Sequence, residues 1–593
     1  MVCNICERRC HVREGSCGAC GNYINTNGSM REKYPHRYLL VEPTAIETVP
    51  VFNYFPGTKL LQITTTGCVF DCSGCVSTVL VKEIDPASKA LVELSPDQVV
   101  DRAVATGCAG IVFLMNDPLA SFHTFTAVAR AAKKRGLMVG FSSNGYFTEE
   151  SLNTVIDCLD FVNIGLKGYS DEAYRLCGVQ SSKPAYRTIK RLHEQGVHVE
   201  VSCIYKLGNR EDILLAAAEV AAVDRNIPFQ VMRFVPYEDA PCGHEPSIRQ
   251  AEKLVGELSS YLNYVYLFNS PGTELQDTRC PQCGLAVVKR DYWGPMGAIV
   301  RAKELPDKGP HTCPRCGAQI AIKGSFNSCD CDSSDGGYSY TRALEIIEGI
   351  LVTLGVNDHR KVVQLWEETL GGKSLQALFY SIQNTEGYLK VMLEYGAKVG
   401  ERARAEKVVA YYRKKLQEVA DRLKGVTQRP RVYYCMGKPL YSVKAERFEN
   451  HIVELSGGIS LNRQMTDLTG RPGMRIPATR VNKLDPEVIF LSAQYAGAIE
   501  DFYQDCQEAG VDVTALRQRR VYNQLAHGWE YGSPRWLLGL LHSANCLHPE
   551  LFAFDMQKEA DEFYRRFYGI GFNPQELNHS FSKPSISWTW AST

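Results

Sequence analysis

The stretch Lys59-Leu60-Leu61-Gln62-Ile63-Thr64, followed closely by Cys68-Val69-Phe70-Asp71-Cys72-Ser73-Gly74-Cys75, decides how the first half of this chain reads. The first six residues have the apolar character of a strand, and the cysteines fall on the loop at that strand's C-terminal end. Outward from it the pattern repeats. Ser95-Pro96 marks a helix start, with Ser as N-cap and Pro in the first helical position. Gly110-Ile111-Val112-Phe113-Leu114-Met115 is a continuous apolar run, as expected of a buried parallel strand. Further strands are expected at 137–142, 161–166, 197–204, 229–234 and 264–268. Helices are expected between them at 127–134, 149–158, 185–195, 210–223 and 248–262. Six or seven strand–helix units predict an α/β fold, a partial (β/α)6 TIM-like barrel with its site at the C-terminal ends of the strands.

On either side the composition changes. Residues 1–50 are cysteine-rich and show no clear periodicity, and 273–323 form a second cysteine-bearing segment after the barrel at 51–272. Residues 324–340 are rich in Gly, Ser and Asp and read as a linker. Residues 341–593 are helix-rich, with a long amphipathic helix at 403–423 and strands at 431–435 and 488–491. The 593 residues are 45% hydrophobic and 22% charged, which suits several packed domains and excludes wholesale disorder. Lys+Arg and Asp+Glu balance at 66 each, so charge gives no argument for a nucleic-acid or anionic-membrane partner. No run approaches the roughly 20 apolar residues of a membrane span. Met1–Cys6 lacks the basic-then-apolar pattern of a signal peptide, and a cytoplasmic location is expected.

The 22 cysteines are the unusual number. In a reducing compartment, clustered cysteines point to metal rather than disulfides. Cys68, Cys72 and Cys75, spaced C-x3-C-x2-C, can hold three irons of a [4Fe–4S] cluster and leave the fourth open to a chelating ligand. The alternatives for this spacing are a zinc site short of one ligand and three structural thiols. Cys280-Pro281-Gln282-Cys283 and Cys313-Pro314-Arg315-Cys316 are two tight knuckles that together complete a four-cysteine site, zinc or an auxiliary iron–sulfur centre. Cys3, Cys6, Cys10 and Cys20 suit one further metal, with Cys17 spare, and zinc and an auxiliary cluster are nearly balanced there. Cys329 and Cys331 read as exposed linker thiols. Cys108, Cys158, Cys177, Cys203, Cys242, Cys435, Cys506 and Cys546 are scattered and read as small buried apolar residues.

With these segments in order, residues 1–325 resemble the radical S-adenosylmethionine (radical SAM) superfamily, in the branch of the AmmeMemoRadiSam system and pyruvate formate-lyase activating enzyme. Asn116-Asp117-Pro118, Ser143-Asn144-Gly145, Gly165-Leu166-Lys167-Gly168 and Arg233-Phe234-Val235-Pro236 match further family segments. The N-terminal cysteines and the closing C-P-x-C-G pair match as well. The resemblance implies that S-adenosylmethionine is cleaved reductively to a 5′-deoxyadenosyl radical. It also implies that Asn116 and Asp117 hold the methionine amino group and that Asn144 and Lys167 approach the ribose or carboxylate. Arg233 is a weaker candidate for substrate contact. Gly74, Val76-Ser77 and Gly165 depart from the family pattern, which implies a substrate unlike those of the better-known members.

Residues 341–593 carry a second resemblance, to the binding proteins of iron-siderophore and cobalamin transport, with an abbreviated first lobe. On that resemblance His527, Trp529, Glu530, Tyr531 and Arg535 fall where the fold builds its cleft; the alternative is a dimerisation or scaffolding domain. The expected activity is radical chemistry on a small-molecule or cofactor-precursor substrate, under anaerobic conditions, with ferredoxin or flavodoxin as electron donor. Two alternatives stand beside it. One is an activating enzyme that installs a radical on a protein partner. The other is a non-catalytic iron–sulfur or metal trafficking protein.

Overall fold

The computed structural model describes residues 1–236, 242–294, 297–328, 337–370, 372–468, 472–492, 495, 497–526 and 528–573. Cys329, Cys331 and His527 lie outside the described residues. The chain forms two compact units. The first comprises Met1–Phe234, Gln250–Asn269 and Thr273–Tyr338; the second comprises Val235–Arg249, Ser270–Gly272 and Ser339–Thr593.

The first unit is organised by an eight-stranded sheet. Lys59–Thr64, Gly110–Phe113, Met138–Ser143, Phe161–Leu166, His198–Tyr205, Phe229–Arg233 and Val265–Phe268 run parallel and lie side by side in chain order. Leu40–Ala45 adds an antiparallel edge, with Leu40 opposite Thr64. Neighbour-to-neighbour order is what a barrel wall requires; a doubly wound sheet would reverse direction at its centre. Helices Pro96–Ala105, Phe122–Lys134, Glu149–Val155, Lys183–Glu194, Arg210–Val223 and Ile248–Leu258 make the crossovers. Ser95 caps the first of them in a full capping box with Gln98.

Alternation divides the strand residues between two faces. Leu61, Ile63, Ile111, Phe113, Val139, Phe141, Val162 and Val201 pack against the helices. Leu60, Val112 and Phe161 point the other way, where Ile46, Val49 and Val51 cover them. Further along this inner face the side chains turn polar. Ser202 donates to Asn163 Oδ1 at 2.8 Å, and Gln230 donates to Glu200. Glu200 also accepts the backbone N–H groups of Phe52 at 2.9 Å and Asn53 at 2.7 Å. A buried carboxylate this fully bonded organises the interior rather than straining it.

Residues 1–50 are more regular than their sequence suggests. Tyr23–Thr26 and Ser29–Glu32 form a hairpin around Asn27 and Gly28, both at positive φ. Asn-Gly is the preferred pair for that turn, a local signal hidden by the surrounding cysteines. After the sheet, Thr278–Arg279, Ala286–Tyr292 and Ala298–Lys303 form a small antiparallel sheet. Arg290 keys it to the inner face: buried, it donates to Phe52 O at 2.9 Å and lies 4.2 Å over the Phe52 ring.

The second unit opens with helices Tyr338–Thr353, His359–Thr369, Gly372–Ser381, Thr385–Lys398 and Arg402–Arg422. Among the described residues no strand precedes Arg431–Cys435 in it. That strand pairs in parallel with Val488–Leu491, which pairs in parallel with Val521–Asn523, and Tyr441–Val443 and Gly473–Arg475 add antiparallel edges. Helices Trp536–Leu547 and Met556–Tyr568 follow. Among the described residues no helix is long and apolar enough to cross a membrane.

Candidate functional site

The loop after Lys59–Thr64 is held from beneath by Asn116. Its Oδ1 accepts the Thr65 N–H at 3.0 Å, and its Nδ2 donates to Thr65 Oγ1 at 2.8 Å and Thr66 O at 3.2 Å. The chain reaches Asn116 through Met115, a non-glycine residue at φ +79. A left-handed turn of this kind persists where surrounding bonds over-determine it. Gly67, at φ +85, is required: a Cβ there would sit 2.8 Å from Asn22 Nδ2, which bonds Thr66 O at 2.7 Å. Arg8 donates to Val69 O at 2.9 Å, so the N-terminal segment braces the loop from a second side.

Cys68, Cys72 and Cys75 stand on this braced loop, all partly buried. Asn144, just beyond Met138–Ser143, directs Nδ2 at Cys68 Sγ from 3.9 Å, while its backbone N–H bonds Asp117 Oδ2 at 2.9 Å. Asp117 also accepts from Ser143 Oγ at 3.1 Å and from the Leu119 N–H at 2.9 Å. Burial pushes its carboxyl upward, against those donors and the Lys167 charge. Burial opposes the charge on Lys167, but the thiolate charges of Cys72, Cys177, Cys75 and Cys68 outweigh it and favour the ammonium. Lys167 follows Phe161–Leu166, so strand ends carry every one of these residues to the same place.

Cys177 belongs to this neighbourhood. It is buried in the hydrophobic core, as the sequence predicts. Its carbonyl accepts the Asp71 N–H at 2.9 Å, one residue before Cys72, and its side chain lies in the core against which Cys68 and Cys72 pack. No spacing motif marks it; only the fold brings it in. Arg233 is buried and exchanges bonds with Asn269, donating to its carbonyl at 2.9 Å and accepting from its Nδ2 at 3.1 Å.

The cysteines after the large sheet are the tightest group. Cys280, Cys283, Cys313 and Cys316 bring all four sulfurs within 4.8 Å of one another, with Cys280–Cys316 at 3.6 Å and Cys283–Cys313 at 3.5 Å. A tetrahedral ion with metal–sulfur bonds of about 2.3 Å sets its ligands about 3.8 Å apart, so the spacing suits one ion. Each knuckle closes on a glycine at positive φ, with Gly284 N–H to Cys280 O and Gly317 N–H to Cys313 O both at 2.9 Å. Burial opposes ionisation of Cys313, yet backbone N–H groups and the neighbouring thiols hold it down at about 6. Among the described residues no other group gathers three sulfurs so closely. Cys3, Cys6, Cys10 and Cys20 share one region: Cys3 N–H bonds Cys10 O at 2.9 Å, and burial pushes Cys6 up to about 12. Cys17 is exposed.

In the second unit the expected cleft residues Trp529, Glu530, Tyr531 and Arg535 are all buried. Tyr434 donates to Glu530 Oε2 at 2.7 Å, Ser492 to Oε1 at 3.0 Å, and Arg535 to Tyr564 Oη at 3.0 Å. These bonds lie in the buried interior of the second unit.

Residues 63–217 match the Radical SAM superfamily. An uncharacterized protein of Methanocaldococcus jannaschii is 28% identical over 333 residues, which cover 54% of this chain and 95% of the relative. Among solved structures, a periplasmic solute binding protein from Veillonella parvula aligns at 18% identity and a TM-score of 0.29, over 33% of this chain and 60% of that one. An ABC transporter solute binding protein from Sulfurospirillum deleyianum aligns at 20% identity and a TM-score of 0.29, over 33% and 61%. The chain therefore spans about three-fifths of the length of these two structures.

Proposed function

The chain is a radical SAM enzyme, and we propose that it generates its radical at the Cys68, Cys72 and Cys75 loop and directs it at a small-molecule or cofactor-precursor substrate. The observation that carries this reading is the convergence of three thiols, the Lys167 ammonium and the Asn116–Asp117–Asn144 clamp on one loop at the strand ends. The donor set fits the cofactors of the class: three thiols leave one corner of a four-iron cluster for a chelating ligand, and a cation stands beside them. When bound, the cluster and S-adenosylmethionine supply reductive cleavage of a carbon–sulfur bond and a 5′-deoxyadenosyl radical able to abstract hydrogen.

Cys68, Cys72 and Cys75 would hold the irons. Asn116, its amide fully bonded to Thr65 and Thr66, fixes the loop from which they project. Asp117 accepts three protein donors, and a carboxylate offers about four acceptor positions, so one is left for the methionine ammonium. Asn144 and Lys167 would serve the ribose and carboxylate, and Lys167 also balances the thiolates.

Substrate would enter over the inner face. Ile204, on the same inner face as Glu200 and Ser202, is 44% exposed although its strand is central. Gly165 lies on the same face, where a Cβ would be in ordinary contact with Ser143 O and Ser202 Oγ, both at 3.7 Å, and Lys167 Nζ at 3.8 Å. We take this polar lining with one apolar side to favour a small molecule. We read the Cys280, Cys283, Cys313 and Cys316 site as one structural ion, zinc by its spacing, and the Cys3, Cys6, Cys10 and Cys20 group as a second metal site. The second unit is read as a binding-protein-like module, and a ferredoxin- or flavodoxin-like donor as the electron source.

The test is anaerobic. Reconstituted protein receives dithionite and S-adenosylmethionine, and 5′-deoxyadenosine is quantified against Cys72→Ala. Product that depends on Cys72 and rises with a small-molecule extract supports the reading. Product accompanied by a protein-centred radical on a partner favours the activating-enzyme alternative. Iron that leaves the chain for an acceptor protein, with no 5′-deoxyadenosine formed, favours trafficking.

A further inference from the structure

One hydroxyl on the inner face of the large sheet has its direction fixed by its neighbours. Asn163, on strand Phe161–Leu166, donates Nδ2 to Pro50 O at 3.0 Å. A backbone carbonyl can only accept, so the amide nitrogen must face Pro50 and the amide oxygen must face away from it. The other Nδ2 hydrogen goes to Gln230 Oε1 at 3.4 Å, and Gln230 in turn donates Nε2 to Glu200. Glu200 is itself anchored by the N–H groups of Phe52 and Asn53. Each amide in this row has a single orientation.

Asn163 Oδ1 then accepts from Ser202 Oγ at 2.8 Å. That bond uses the only proton of the hydroxyl and leaves its two acceptor positions. Among the described residues no donor is directed at Ser202 Oγ. The hydroxyl is buried, where an unmet polar group costs free energy. Its cross-strand neighbour is Gly165, which has no side chain to lay over it, although a Cβ there would stand 3.7 Å from Ser202 Oγ. Ile204, two residues further along the same face, is exposed, so an apolar surface lies beside the hydroxyl.

We infer that Ser202 is a substrate-binding residue and that it presents an acceptor, so the substrate offers an N–H or O–H group at this point with an apolar part against Ile204. This rests on the reading that substrate enters over the inner face. Asn163 is the positioning residue, because it acts only by holding the Ser202 proton. Selectivity follows from that direction: a carbonyl or ether oxygen brings no proton and would meet lone pairs with lone pairs. No covalent bond changes.

The test uses matched probes on the anaerobically reconstituted full chain. Phenol is compared with anisole, and aniline with N,N-dimethylaniline, by ligand-observed NMR titration; in each pair methylation removes the donor and keeps the ring. Wild type is expected to favour phenol and aniline by about fivefold, the worth of one hydrogen bond. Ser202→Ala should bind both members of a pair equally. Its iron and its ion at Cys280, Cys283, Cys313 and Cys316 report folding. Should Ser202→Ala lose them, Ser202→Cys, close in size and a weak acceptor, carries the same expectation. Equal binding within the pairs by wild type, a preference that survives in the variant, or no binding of any probe would each overturn the proposal. Formation of 5′-deoxyadenosine is scored on the same preparation. A donor preference without that product leaves the Ser202 subsite standing and removes the radical reading; the product without a donor preference removes the subsite alone.

Discussion

Both units end parallel strands in polar side chains, yet the two sets behave oppositely. In the first unit the strand ends deliver Cys68, Cys72, Cys75, Asn144 and Lys167, groups whose natural partners are metal ions and anions. In the second, Tyr434 and Ser492 at the strand ends close on Glu530, and Arg447 closes on Glu449 at 2.5 Å and covers the Tyr531 ring at 4.2 Å. The C-terminal edge of a parallel sheet is where ligands are expected. The difference teaches that this edge becomes a site only where its polar groups are not already satisfied by one another.

The sharpest way to break the comparison is Cys72→Ala. It is expected to reduce 5′-deoxyadenosine to background while the ion at Cys280, Cys283, Cys313 and Cys316 stays, as metal analysis would check. Cys283→Ser should do the reverse. Structural thiolate sites contribute on the order of 10 kcal/mol to small metal-dependent folds. Loss of the ion should therefore open residues 278–322 to hydrogen exchange and leave iron at the first loop in place.

In the second unit the effect is smaller and depends on pH. Burial and the Glu449 charge raise Glu530 from 4.5 to about 7. The folded state then binds more protons than the unfolded state between those values, so stability falls as pH rises through that window. Glu530→Gln should flatten this slope, as denaturant unfolding at pH 5 and pH 8 would reveal; an unchanged slope would mean that Glu530 does not titrate there. The smallest effect is expected from Asn116→Ala. Leaving the Thr65 N–H and Thr66 O unpaired in a buried loop costs about 2 kcal/mol. It should slow cluster uptake without altering the four-cysteine site.

Much of this was legible beforehand. The strands at Lys59–Thr64, Phe161–Leu166 and Arg431–Cys435 and the helix Arg210–Val223 begin and end where apolar periodicity places them. Periodicity works there because each buried face is continuous along one element. The hairpin at Tyr23–Thr26 escaped because its strands are four residues each, although Asn27-Gly28 announced the turn. For Trp529, Glu530, Tyr531 and Arg535 the resemblance locates loops, whereas their burial depends on what folds over them.

By itself the sequence determined the strand–helix rhythm, the three-cysteine spacing after the first strand and the pairing of two C-P-x-C knuckles, since each is written in neighbouring residues. Tertiary structure alone decided that Cys177 meets Asp71, that Asn116 clamps Thr65 and that Arg290 seats against Phe52. Those contacts join residues far apart in the chain, and local pattern carries no term for them. They arise when burying the apolar faces fixes the strand order and sweeps the intervening loops to a common end of the sheet.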